Sequence, residues 1–198
     1  IVGGKNIVEI FDAKTGKPTG RLAVKGSARG LAVSDGRLVV STDSGHIHCF
    51  AAGARGNQVA EGKPVADPYP QDKWTAVYES SAKAILAQTG IRTGFCLVVG
   101  AEQGRLALAL ARNSGLKIYG VESDPAKVAA ARKALVRTGL YGHRITIHEA
   151  AAGEIPYSNY FANLVVSDTH LLTGRVPVAG DVVARHLKPC GGAICLGG

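Results

Sequence analysis

The stretch from Phe95 to Glu122, FCLVVGAEQGRLALALARNSGLKIYGVE, limits what this chain can become more than any other. Phe95–Val99 is a short apolar run of β-forming residues, the composition of a strand buried on both faces. Gly100 and Gly104 bracket a tight turn. Leu106 and Leu110, four positions apart within Arg105–Arg112, predict a helix packed on a sheet, ended by Gly115. Lys117–Val121 predicts a second strand, and Glu122 stands at its carboxyl end. A βαβ unit of this kind makes a nucleotide site: bare main chain in the turn lets a ligand approach, and the helix start offers free N–H groups. A carboxylate after the second strand can accept two charge-assisted hydrogen bonds from a ribose diol.

Glu122 lies 22 positions after Gly100, a spacing that suits a nicotinamide dinucleotide and an adenosyl ligand equally. The pattern G-x-x-x-G lacks the third glycine of the dinucleotide fingerprint.

The rest of this half continues the alternation. Asp72–Thr89 reads as a helix capped by Gly90. Asp124-Pro125 is a helix start, with Val128, Ala131 and Leu135 as its buried stripe and Gly139 as its end. Arg144–His148 and Ala162–Ser167 read as the third and fourth strands. Asp181–His186 reads as a helix, and Ala193–Leu196 as the start of a fifth strand. Strands alternating with helices predict a doubly wound α/β sheet. Asp168 and His170 follow the fourth strand, where ligands meet such a sheet.

The first fifty residues are different. Phe11 and Phe50 lie 39 apart, and at the same offset Ile10 matches Cys49 and Val8 matches Ile47. GLAVSDGRLVVST is a hairpin around Asp35-Gly36, and DAKTG is a turn. A period near 40 with about four strands per unit predicts a β-propeller blade. His46 and His48 share a strand face, with no third metal ligand near in sequence, so no metal is expected. Between the halves, Ala54–Gln71 has the proline and glycine content of a linker. The expected organisation is therefore a repeat fragment over residues 1–53, a linker over 54–71, and an α/β domain over 72–198.

Composition narrows the classes. No apolar run reaches transmembrane length. The net charge is +8, but its lysines and arginines are scattered singly and aromatics are sparse, so nucleic acid is not indicated. The four cysteines form no C-x-x-C pair, and Cys49, Cys96 and Cys195 sit in apolar strand-like runs. The chain contains no methionine, so it is expected to be a piece of a longer protein.

Two resemblances follow from these residues. LVVGAEQGRLALALA, IYGVESDPAKVAAARKAL, EIPYSNYFANLVVSD and VARHLKPCGGAICL make residues 72–198 resemble the Rossmann-like class I methyltransferases dependent on S-adenosyl-L-methionine (SAM), lacking the last strands. LKPCGG before the fifth strand separates this family from nicotinamide dehydrogenases. The resemblance implies that Gly100, Ala101, Glu102, Gln103 and Gly104 face the methionine part of the cofactor. It implies that Glu122 and Ser123 hold the ribose, and that Glu149, Ala150 and Ala151 flank adenine. Asp168 and His170 would face the methyl acceptor, either one serving as a base. The sequence departs from the family at Val98, where an acid is usual, at Glu102, which replaces the middle glycine, and at Asn163. These departures leave a non-catalytic scaffold open as a second reading, and a nicotinamide-binding domain as a third.

IFDAKTGKPTGRL and GLAVSDGRLVVSTDSGHIHCF resemble repeats of the pyrroloquinoline-quinone-type β-propellers, without the tryptophans that usually lock such blades. That resemblance implies further blades in the same longer chain as partners. A SAM-dependent domain points to the cytoplasm and a propeller to the envelope, so the location stays open.

Overall fold

In a computed structural model, residues 1–53 and 64–196 are described. Residues 54–63 of the expected linker lie outside them. The chain divides into two compact units, Ile1–Ala60 and Glu61–Gly198.

The first unit is a four-stranded antiparallel meander of β1 (Val2–Phe11), β2 (Pro18–Ser34), β3 (Arg37–Thr42) and β4 (Ile47–Ala51), in that spatial order. The turns follow the sequence. Asp12 accepts from the N–H groups of Lys14 and Thr15 across DAKTG. Asp35 and Gly36 both take positive φ, 48° and 68°, as a two-residue hairpin demands. The first half of β2 pairs with β1 and the second half with β3. Val8, Val24, Leu38 and Val40 form a small core beneath them. His46, His48 and Phe50 stack along one face. His48 accepts from the Lys25 N–H and His46 bonds Ser44, so both rings are used within the sheet. Among the described residues no group of three or more potential metal ligands occurs. Cys49, expected in an apolar strand environment, is exposed on this sheet.

The second unit is a five-stranded parallel sheet in the order β7-β6-β5-β8-β9. Its strands are β5 (Phe95–Val99), β6 (Lys117–Glu122), β7 (Ile145–Glu149), β8 (Leu164–Ser167) and β9 (Ala193–Ile194). Its helices are α1 (Lys73–Thr89), α2 (Arg105–Asn113), α3 (Pro125–Val136), α4 (Asp168–Thr173) and α5 (Gly180–Ala184). Alternation across the strands assigns the faces. Cys96 and Val98, Ile118, Ile145 and Ile147 meet α1, α2 and α3. Leu97, Val99 and Val121 meet Val183 of α5 and the segment carrying Ile155 and Phe161. Burial makes Cys96 an inert core thiol, its ionisation pushed up.

Local chemistry explains the helix ends. Asp72 caps α1 by accepting from Trp74 and Thr75 N–H, and Thr75 returns a bond to the Asp72 N–H. Asp124 caps α3, with Pro125 in its first turn. α2 ends differently from expectation: Ser114, in extended conformation, is its C-cap, and Gly115 instead donates to Arg92 O. The last carbonyls of α2 find a donor in Arg144, which reaches Ala111 O and Ser114 O. Leu106 through Ala111 are all buried, because α2 lies between α1 and the sheet rather than on the surface.

The strand order reverses at β5: β6 lies on one side and β8, reached only later in the chain, on the other. A crevice at the carboxyl ends of such neighbours is where open α/β sheets receive ligands.

Candidate nucleotide site at the switch point

The turn after β5 is fixed by backbone bonds to both neighbours. Ala101 N–H donates to Val121 O of β6, and Thr169 N–H, in the first turn of α4, donates to Gly100 O. Gly100 has φ 62°, and a Cβ there would fall 2.2 Å from Thr169 Oγ1, so only glycine fits. Ala101 is fully buried and Gln103 is exposed, its carbonyl accepting from Tyr69 Oη at 2.6 Å.

Glu122 points into this turn. Its Oε2 accepts from Glu102 N–H at 2.8 Å, and its Oε1 accepts from Ser123 and Asp124 N–H at 2.9 and 3.0 Å. Three backbone donors hold a carboxylate that is only 5% exposed. Glu149 stands beside Glu122 in the sheet register and is exposed. Ala150 N–H donates to Glu122 O, and Ala151 is exposed in the following turn.

Glu102, which replaces the glycine usual in the resembling family, holds a left-handed conformation, φ 49°. Its side chain does not leave the site. Oε1 accepts from Thr169 Oγ1 at 2.8 Å, and Oε2 pairs with the Lys127 ammonium of α3. The carboxylate raises the ionisation of Lys127 above its ordinary value. Glu102 thus spans from the element after β6 to the element after β8, across the crevice. Thr169 and Lys127 carried no sequence signal: each is ordinary in composition, and only the sheet order brings them to the turn.

Asp168 and His170 separate. Asp168 is fully buried under the start of α2, where its Oδ2 receives Leu106 N–H at 3.4 Å and, among the described residues, Oδ1 has no hydrogen-bond partner. Burial pushes its carboxyl up to about 7, against the opposing pull of Tyr78 and the Leu106 N–H, with Glu102 adding to the rise. Tyr78 and Tyr69 are both pushed up by burial and by Asp168. His170 is half-buried, its N–H bonded to Ser167 Oγ. Near this end lies an apolar cavity of about 70 Å³, lined by Val99, Ser167, Val176 and Val183. That is well below the roughly 300–1,000 Å³ of a small-molecule site.

Fold and site together define a Rossmann-like domain with a glycine turn and a buried carboxylate at its switch point. Residues 96–191 match the family profile described as a methyltransferase domain. A SAM-dependent methyltransferase assignment also belongs to a similar structure from Methanococcus maripaludis. It is 25% identical with a TM-score of 0.55, covering 66% of this chain and 64% of that one. This chain therefore spans less than two thirds of that protein's length. A SAM-dependent methyltransferase of Aquifex aeolicus is 18% identical, TM-score 0.48, over 60% of this chain and 63% of that one. One from Geobacter sulfurreducens, in complex with S-adenosyl-L-homocysteine, is 22% identical, TM-score 0.45, over 66% and 49%. A comparison with curated proteins finds no match.

Residues 96–191 of the second unit are thus similar to a methyltransferase domain, a similarity that makes SAM the group to test against the site. The residues fit that group in part. The turn backbone and Glu122 stand where an adenosyl group would be held. Glu102 does not fit, because its side chain lies across the crevice that the ligand would enter.

Proposed function

We propose that the second unit binds SAM at the crevice beside β5 and directs methyl transfer to an acceptor whose identity is open. The observation that carries this reading is Glu122, a buried carboxylate aimed at the glycine turn at the switch point of the sheet. In this reading Glu122 and Ser123 hold the ribose, and residues Gly100 to Gly104 back the methionine part. Glu149, Ala150 and Ala151 flank the adenine. Bound SAM supplies an electrophilic methyl carbon on a sulfonium. The domain's own contribution is to align an acceptor and take a proton from it. His170, with part of its surface open, is the proposed proton acceptor. Asp168, sealed under α2, is proposed to act by fixing the turn and α4 rather than by touching the acceptor.

The test is calorimetry with SAM and with NAD. Binding of SAM but not NAD, lost in Glu122→Ala, supports the reading. NAD binding alone favours the nicotinamide alternative, and silence toward both favours a non-catalytic scaffold. The closure of the crevice by Glu102 is the specific observation that favours the scaffold. For the first unit we propose a blade of a quinone-type propeller whose partners are further blades of the same longer protein. The 39-residue repeat and the four-stranded meander support this.

A further inference from the structure

The sequence placed Glu102 among cofactor contacts, and its side chain raises a different role. Three facts converge on it. The residue adopts φ 49°, a conformation that costs a non-glycine residue free energy and persists only where surroundings enforce it. Both of its carboxylate oxygens are engaged, one by Thr169 Oγ1 and one by Lys127 Nζ. Its side chain is only 13% exposed although it rises from a surface turn. Thr169 follows β8 and Lys127 lies on the helix that follows β6, so the strap closes the crevice from both sides. The backbone N–H of the same residue is also the donor bonded to Glu122 Oε2. Thr169 reinforces the closure by lying over the bare main chain of Gly100.

We infer that Glu102 controls ligand access to this site, its carboxylate occupying the space that a nucleoside ligand must take. This inference rests on the SAM reading above. A ligand then binds only the fraction of molecules in which Glu102 has released Thr169 and Lys127, and its apparent affinity falls by that fraction. One hydroxyl–carboxylate bond and one partly exposed ion pair together set the strap at roughly 10- to 100-fold.

The substitution Glu102→Gly removes the strap and suits the positive φ, so the turn keeps its course. Calorimetry with S-adenosyl-L-homocysteine, which carries no net charge, is the readout, and thermal melting checks folding. The expected result is binding roughly 10- to 100-fold tighter in Glu102→Gly than in the natural chain. Glu102→Gln, which keeps the Thr169 bond and loses the ion pair, should fall between. Raising the salt concentration should tighten binding to the natural chain and leave Glu102→Gly unchanged. Equal affinities would overturn the strap while leaving the SAM reading standing. Weaker binding in Glu102→Gly would also overturn it, making Glu102 a ligand contact. Silence in all three proteins at millimolar ligand would overturn the reading and the strap together.

Discussion

Asp168→Asn should reverse part of the pH dependence of the second unit's stability. The folded state raises this carboxyl from 3.8 to about 7 because it is sealed from water. Between those values the unfolded chain has released a proton that the folded chain retains, so the folded state loses stability as pH rises through this window. The displacement corresponds to roughly 4 kcal/mol at full ionisation, an upper bound that local opening would reduce. The asparagine keeps the size and the acceptor that receives Leu106 N–H, but it never ionises. Urea unfolding followed by Trp74 fluorescence is the assay, since the single tryptophan lies on α1 and reports the second unit alone. Near pH 4 the two proteins should be almost equally stable. By about pH 8 the variant should be more stable by several kcal/mol. Carboxylates such as Asp72 and Glu79, held low by Arg105 and Lys83, act in the opposite direction but cancel in the difference. A difference that stays flat across this range would refute the reasoning, as would a variant less stable at high pH.

Other substitutions probe the scaffold around the site. Asn163→Ala should destabilise the second unit by about 1–3 kcal/mol in urea unfolding, because Asn163 Oδ1 is the acceptor for Phe95 N–H at the start of β5. Gly94→Ala should cost as much or more, since its φ is 97° and a Cβ would sit 2.3 Å from the same oxygen. Glu122→Ala should lower the melting temperature as well as abolish SAM binding, because three backbone donors lose their acceptor. A Glu122→Ala protein that melts like the natural chain would contradict that account.

The parts legible in the sequence were those written in local chemistry. The Asp124-Pro125 cap and the Asp35-Gly36 hairpin depend on residues a few positions apart, and the β5 turn and Glu122 belong to one βαβ unit in which Glu102 N–H meets Glu122 across 20 positions. The expected parallel sheet follows from the same alternation. What was not legible depends on residues far apart in the chain. Glu102 meets Thr169 across 67 positions, and no periodicity announces that pairing. Asp168 read as a strand-end carboxylate facing the crevice, whereas α2 and Tyr78 cover it. Tyr119, Tyr157 and Phe161 form an aromatic cluster over β6 that no motif marked, because their contacts come from a loop folding back on the sheet. Gly115 looked like a helix cap by type alone, while its backbone serves the segment before β5.

The central claim is that the β5 turn and Glu122 grip an adenosyl group. Hydrogen exchange with and without saturating SAM tests it most directly, using Glu102→Gly alongside the natural chain. The account predicts slowed exchange at the amides of residues 101–105 and 122–124, strongest in Glu102→Gly. Exchange unchanged in that region while SAM is demonstrably bound, with protection appearing elsewhere in the chain, would contradict it.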